Sequence, residues 1–246
     1  MMPVLVAMLV VLQDADAAVR EFEAAFRKKG ATVAEQVSAV EKLGEMRHET
    51  TSKALVKLLA AEERIGVAAA KSLANFTEVK GTAARVAPYL LERANAERTA
   101  VRVEIVRCLA SLKDAAALPA LHKELRGRDL FVAKEIVLAL QAIRNRGSVP
   151  VMIDYLKICE KAPIGNVEIP FDFGPKTDKE REFEEQYPQW TFWVRVDADA
   201  YARLRKDLLH EPLVKALKSV TKQDWETHKG WHEWWQSSGP AFKVAE

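Results

Sequence analysis

A chain of 246 residues is long enough for one large domain or two small ones, with a substantial buried core. A net charge of +2, with 49% hydrophobic and 29% charged residues, supplies no global field to recruit nucleic acid or an anionic membrane. Two cysteines, Cys108 and Cys159, give no disulfide framework and read as buried free thiols, and the low glycine and proline content, ten of each, favours helix.

The chain opens on an uncharged run, Pro3 to Leu12, followed by Ala15 and Ala17 in an A-x-A arrangement. The run is too short to cross a bilayer, which takes about 20 apolar residues. Residues 1–17 look like a secretory signal peptide, which would place the mature chain in the periplasm or outside the cell without a stable membrane span. The basic n-region of such a leader is missing, since the first Lys or Arg is Arg20. The competing reading is an apolar first helix that covers the end of the fold, in a cytoplasmic protein.

A repeat follows. Leu43-Gly-Glu-Met…Leu59, Leu73-Ala-Asn-Phe…Leu90, Leu109-Ala-Ser-Leu…Leu125 and Leu140-Gln-Ala-Ile…Leu156 align, with 16, 17, 16 and 16 residues between the marked leucines. From segment to segment the first leucine advances by 30, 36 and 31. A constant internal distance with variable linkers predicts a two-helix unit, fixed inside by packing and free to vary in its loops. Within a unit the apolar residues recur at helical steps: Val33, Val37, Val40, Leu43 and Met46, then Leu55, Leu58 and Leu59. Alanines such as Ala68 to Ala70 let neighbouring helices approach closely.

The unit length and the L-G/A-x-hydrophobic step resemble HEAT-like repeats. Tetratricopeptide repeats would show glycine and aromatic residues at fixed offsets in a period of about 34 residues, and those are absent. The resemblance covers roughly residues 33–160 and implies an all-α, α-α superhelix. The residues divide into the leader 1–17, an N-terminal helix and four repeats over 18–161, an irregular insertion over 162–197, and 198–246, a fifth helix pair with a tryptophan-rich C-terminal cap.

The insertion holds four prolines before Trp190 and a charged stretch from Lys176 to Glu185. Val167–Phe173 and Thr191–Val196 are rich in aromatic and β-branched residues and could pair as a short β-hairpin. Beyond it, Tyr201, Leu204, Leu208 and Leu209 form one helix face, and Pro212 is expected to open a second helix carrying Val214, Leu217 and Val220. All six tryptophans lie after residue 189. Leu217-Lys-Ser-Val-Thr-Lys-Gln-Asp-Trp225 followed by Trp231-His-Glu-Trp234-Trp235 is similar to the ending of HEAT-repeat proteins common in planctomycetes. There an L-x-x-L/V-T-G-Q-D-F/W element precedes a W-x-x-W-W helix. That resemblance implies a structural cap, with Lys222 standing where the pattern has glycine.

No cluster argues for chemistry. His228 and His232 share a helix face, but Lys229 stands where a zinc-protease motif needs Glu and no third ligand is evident. Neither a G-x-S-x-G nor a P-loop is present, so no catalytic residue, metal or cofactor is assigned. If the second helix of each pair is the inner one, Lys53, Lys57, Arg85, Lys123, Arg126 and Lys157 mix there with Glu62, Glu92, Glu124 and Asp154. Such mixed signs indicate a solvated face rather than a nucleic-acid groove.

The expected function is a non-catalytic scaffold for a protein partner, using the insertion: Trp190, Trp193, Phe171, Phe173 and Tyr187 are its candidate contact residues. The alternative is a ligand-binding module or enzyme built on the tryptophan-rich C-terminal region, with Asp197, Asp199 or His210 as titratable partners.

Overall fold

The computed structural model describes residues 15–160, 167–170, 193–196 and 198–244. Helix α1 spans 15–26. Four pairs follow: α2 (Val33–Glu45) with α3 (Glu49–Lys57), α4 (Glu63–Leu73) with α5 (Thr82–Leu90), α6 (Thr99–Leu112) with α7 (Leu118–Glu124), and α8 (Leu130–Ile143) with α9 (Ser148–Glu160). The strands β1 (Val167–Pro170) and β2 (Trp193–Val196) pair antiparallel, with Val167 opposite Val196 and Pro170 opposite Trp193. Helices α10 (Ala198–Thr221) and α11 (His228–Ser238) end the chain. The architecture is an all-α solenoid carrying one short hairpin.

The first helices begin at Val33, Glu63, Thr99 and Leu130, advancing by the same 30, 36 and 31 residues as the marked leucines. The long middle step is filled by a single 3-10 turn, Arg93–Asn95. Asn95 is buried there and donates from Nδ2 to the Tyr89 carbonyl at 2.9 Å, so the extra residues are built into the fold.

Each pair exposes apolar residues on two sides and has no core of its own. Leu43, Leu55, Leu59, Leu73, Leu90, Leu109, Leu121, Leu125, Leu140 and Leu156 are all buried in one continuous cluster. Fully burying a leucine is worth about 1.5–3 kcal/mol, so stacking is what stabilises each unit. The small residue after the marked leucine has a steric role in the first unit: a Cβ on Gly44 would lie 2.6 Å from the Cβ of Ser72 on α4.

Polar residues fix the register between units. Arg102, almost fully buried on α6, is joined to Glu124 at the end of α7 and, at 3.5 Å, to Asp129. Asp129 in turn caps α8, accepting from the amides of Phe131 and Val132, and accepts from the Thr99 hydroxyl. Burial raises the Glu124 carboxyl above its ordinary range, against the pull of Arg102. On the second-helix side, Ser52 meets Thr82 at 3.3 Å and His122 meets Ser148 at 2.9 Å.

Three first helices end alike. Lys113, Arg144 and Lys222 are left-handed (φ 50°, 53° and 60°), and their amides donate to the carbonyls of Leu109, Leu140 and Lys218. This is the single-bond C-cap that glycine usually supplies. Lys222 therefore keeps the turn that glycine would make.

The fifth unit differs from expectation. Pro212 does not open a second helix: α10 runs unbroken through it for 24 residues. Its ring forfeits one backbone hydrogen bond, but Leu209, Leu213, Val214, Ala216 and Leu217 form a buried face on both sides of it. Packing overrides the local break. Both α10 and α11 lie against α9, and α11 carries Trp231, Trp234 and Trp235.

Two outcomes test this account. Lys222→Gly should raise unfolding free energy by about 0.5–1 kcal/mol in urea melts, because left-handed strain of about 1–2 kcal/mol exceeds the extra entropy of an unfolded glycine; Lys222→Val should lower it. Burial pushes both the Cys108 and Cys159 thiols up to about 12, from an ordinary value near 9. A group whose folded pKa is raised contributes stability that is full below the unfolded value and lost above it. Unfolding free energy should therefore fall from about pH 9 upward, and the Cys108→Ala/Cys159→Ala variant should show a shallower alkaline slope.

Candidate binding surface

The first helices, α2, α4, α6, α8 and α10, pack each on the next along their lengths, whereas α3, α5, α7 and α9 touch one another less. A stack spaced more tightly on one side curves toward that side. The more tightly packed face, the inner one on this spacing, is built by the first helices. Lys53, Lys57, Arg85, Lys123, Arg126 and Lys157 lie on or beside second helices, away from it.

The caps Thr32, Glu62, Arg98 and Asp129 set a common register for this face. Two residues past each cap stand Ala34, Arg64, Ala100 and Phe131, all exposed. Five past it stand Val37, Val67, Val103 and Lys134, all half-buried. Nine past it stand Glu41, Lys71, Arg107 and Leu138, again exposed. A stripe of three valines thus crosses α2, α4 and α6 and leads toward α8, which carries Phe131 at 64% exposure and Leu138 at 43%. Leu204 on the neighbouring α10 is 47% exposed. Large apolar side chains held at this exposure on a rigid stack mark an interaction site more often than scattered single ones do.

The charged row is tied down. Arg107 donates to Glu104 at 2.8 Å on its own helix and to both carboxylate oxygens of Glu135 on α8, at 3.2 and 2.9 Å. These bonds raise the Arg107 pKa and keep the guanidinium charged. The surface can bind by apolar contact and by complementary charge, and nothing in its geometry pairs a nucleophile with a base.

Of the residues singled out in the insertion, Trp193 alone lies among the described ones. Phe171, Phe173, Tyr187 and Trp190 lie outside the described residues, as does Asp197; Trp193 sits in β2 opposite Pro170. Of the C-terminal tryptophans, Trp231 is fully buried, with Trp234 edge-on to it at 5.9 Å and Phe242 edge-on to Trp234 at 5.5 Å. The Arg146 guanidinium lies 5.9 Å from the Trp235 ring and donates to the Gly239 carbonyl at 2.8 Å. Trp225, 42% exposed, rests on Gly230, where a Cβ would come within 2.9 Å of the ring. The α11 aromatics are therefore mainly packing groups against α9.

His228 and His232 stack with centroids 5.5 Å apart, and Glu160 accepts from the His228 amide at 2.8 Å while lying 3.4 Å from His210. Burial lowers the His228 pKa, with Glu160 opposing. Among the described residues, no group of three His, Cys, Asp or Glu is placed to hold a metal ion, and no helix is long and apolar enough to cross a membrane.

The row on the first helices was not singled out in the sequence. The signal was available: Phe131 and Leu138 are seven apart, so they share one helix face, and neither belongs to the leucine pattern.

Residues 87–163, from the end of α5 through α9, match the family model for HEAT repeats. No curated protein and no solved structure matches the chain. The packing role of Trp231 predicts that Trp231→Ala costs about 3–5 kcal/mol in denaturant melts, whereas Trp225→Ala stays within about 0.5 kcal/mol of the parent.

Proposed function

We propose that this HEAT-repeat chain is a non-catalytic scaffold that holds a protein partner on the inner face of α2, α4, α6, α8 and α10. HEAT repeats commonly serve as protein-interaction scaffolds. The observation that carries the reading is the exposed apolar group Phe131, Leu138 and Leu204 beside the valine stripe. An extended or helical segment with apolar side chains fits such a stripe, with its charges set against Arg107, Lys71 and Glu41. The reading leaves α11 a structural role at the end of the stack, and residues 1–17 the role of a leader that directs the chain to the periplasm or outside the cell. The insertion at 162–197 is a second contact element, through Trp190 and Trp193.

A second reading, a ligand-binding module or enzyme at the C-terminal region, now rests on Trp190, Trp193 and the exposed Trp225. Trp231, Trp234 and Trp235 are committed to packing.

The test compares affinity captures by the parent chain and by Phe131→Asp/Leu138→Asp. Both positions are exposed, so the double variant should melt within about 1 kcal/mol of the parent. Proteins enriched by the parent should fall at least about tenfold with the variant, as when two apolar anchors are lost from an interface centre. Captures that are unchanged in the folded variant would remove the inner face as the binding surface.

A further inference from the structure

At the opposite end of the stack from α11, helix α2 has a first-helix neighbour on one side among the described residues, where α4, α6 and α8 each have one on both. Helix α1 covers it only in part. Between them lies a groove of about 670 Å³. One wall is Ala18, Phe22 and Ala25 of α1, and the other is Ser38, Ala39 and Leu43 of α2 with Met46 just past its end. Small residues on both walls leave room for a third helix at close approach, as Gly44 and Ser72 do between α2 and α4. Phe22 and Leu43 supply the apolar floor.

The rim is acidic. It carries Glu21, Glu35 and Glu45 against Lys42, with Lys28 near enough to act on Glu35. Lys42 lies 3.7 Å from Glu21 across the groove, and both are well exposed, so that contact is weak and easily exchanged. Glu35 accepts from the Thr32 amide in the capping box of α2, which fixes its position and holds its carboxyl below the ordinary range. Glu45 makes no ion pair with a described residue and sits at the last turn of α2. A carboxylate there is unfavourable beside the negative end of the helix dipole, and an external cation would relieve it.

We propose that the α1–α2 groove is a second docking site, and that its occupant is an amphipathic helix of a partner protein with a small, apolar face and basic flanks. The occupant packs on α2 as a first helix would. Its apolar face covers Phe22, Ala39 and Leu43, and its Lys or Arg residues reach Glu21, Glu35 and Glu45. The site is separate from the inner face: its wall residues on α2, such as Ala39 and Leu43, lie outside the Ala34, Val37 and Glu41 series.

The experiment uses the full chain and a fluorescein-labelled synthetic helix of about four turns, Leu and Ala on one face and Lys on the flanks. A control peptide carries Glu in place of every Lys. Anisotropy titrations should show the Lys peptide binding at least about tenfold tighter than the Glu peptide, with the difference shrinking as salt rises. Ala39→Trp, which fills the groove, should weaken the Lys peptide by at least about tenfold. Should Ala39→Trp fail to fold, the exposed pair Glu21→Lys/Glu45→Lys serves instead and should invert the preference between the peptides. A photoreactive benzoylphenylalanine at Ser38 should cross-link to the Lys peptide. Equal affinity for the two peptides, or affinity indifferent to both the groove-filling and rim-reversing changes, would overturn the proposal. So would Ser38 cross-links that join it to residues of its own chain, or to a second copy, at peptide concentrations that saturate binding.

Discussion

Every feature of this molecule follows from one constraint: no helix pair here can bury its own apolar surface. A pair of helices of about ten residues has a two-sided apolar face and no third element to close it. The neighbouring pair must supply that closure, and so the chain repeats. The same constraint explains why the core is one continuous cluster from Phe22 to Trp231 rather than a set of separate cores. It also explains where polarity is allowed inside. Arg102, Glu124 and Asp129 join α6, α7 and α8, and removing any one would leave its partners charged and buried. Such breakage typically costs about 3–5 kcal/mol, so these residues act on register more than on net stability.

Among the described residues the stack has two ends, and they are treated differently. At one end α11 lays a fully buried indole and two half-buried ones against α9. At the other, α1 turns Phe22 and Phe26 inward, with rings 5.1 Å apart, and ties itself to α2 through Gln36, which donates to the Phe26 carbonyl at 3.1 Å. That contact closes the floor and leaves the groove above it. An apolar surface of this kind persists in a folded protein when charge around it discourages indiscriminate association, and the carboxylates on this rim serve that purpose.

Much of the fold was legible because packing positions are what a repeat preserves. The leucine steps reproduce the helix starts to the residue, since both are set by the same stacking distance. The two strands of the hairpin fall within the two β-branched and aromatic runs. What the sequence did not disclose was determined by tertiary context. Pro212 carries a strong local signal for a helix start, and a buried face of five apolar residues outweighed it. The side on which the stack curves depends on relative spacing in two layers, which no single helix encodes. The candidate surface was missed with it, because Phe131 and Leu138 acquire meaning only once α8 is known to face inward.

The left-handed residues show how the stack absorbs local misfit. A lysine or arginine in this conformation costs about 1–2 kcal/mol, and a positive charge at a helix C-terminus returns only about 0.3–1 kcal/mol. The turn is therefore not chosen by Lys113, Arg144 or Lys222. It is imposed by what lies on either side. Asp114 accepts from the Ala116 amide and Asn145 from the Gly147 amide, which fixes the chain after the turn, while Leu109 and Leu140 are locked in the core before it. Between two fixed points the intervening residue must reverse the chain, whatever its side chain. This is why these turns are weak signals in the sequence yet regular in the structure.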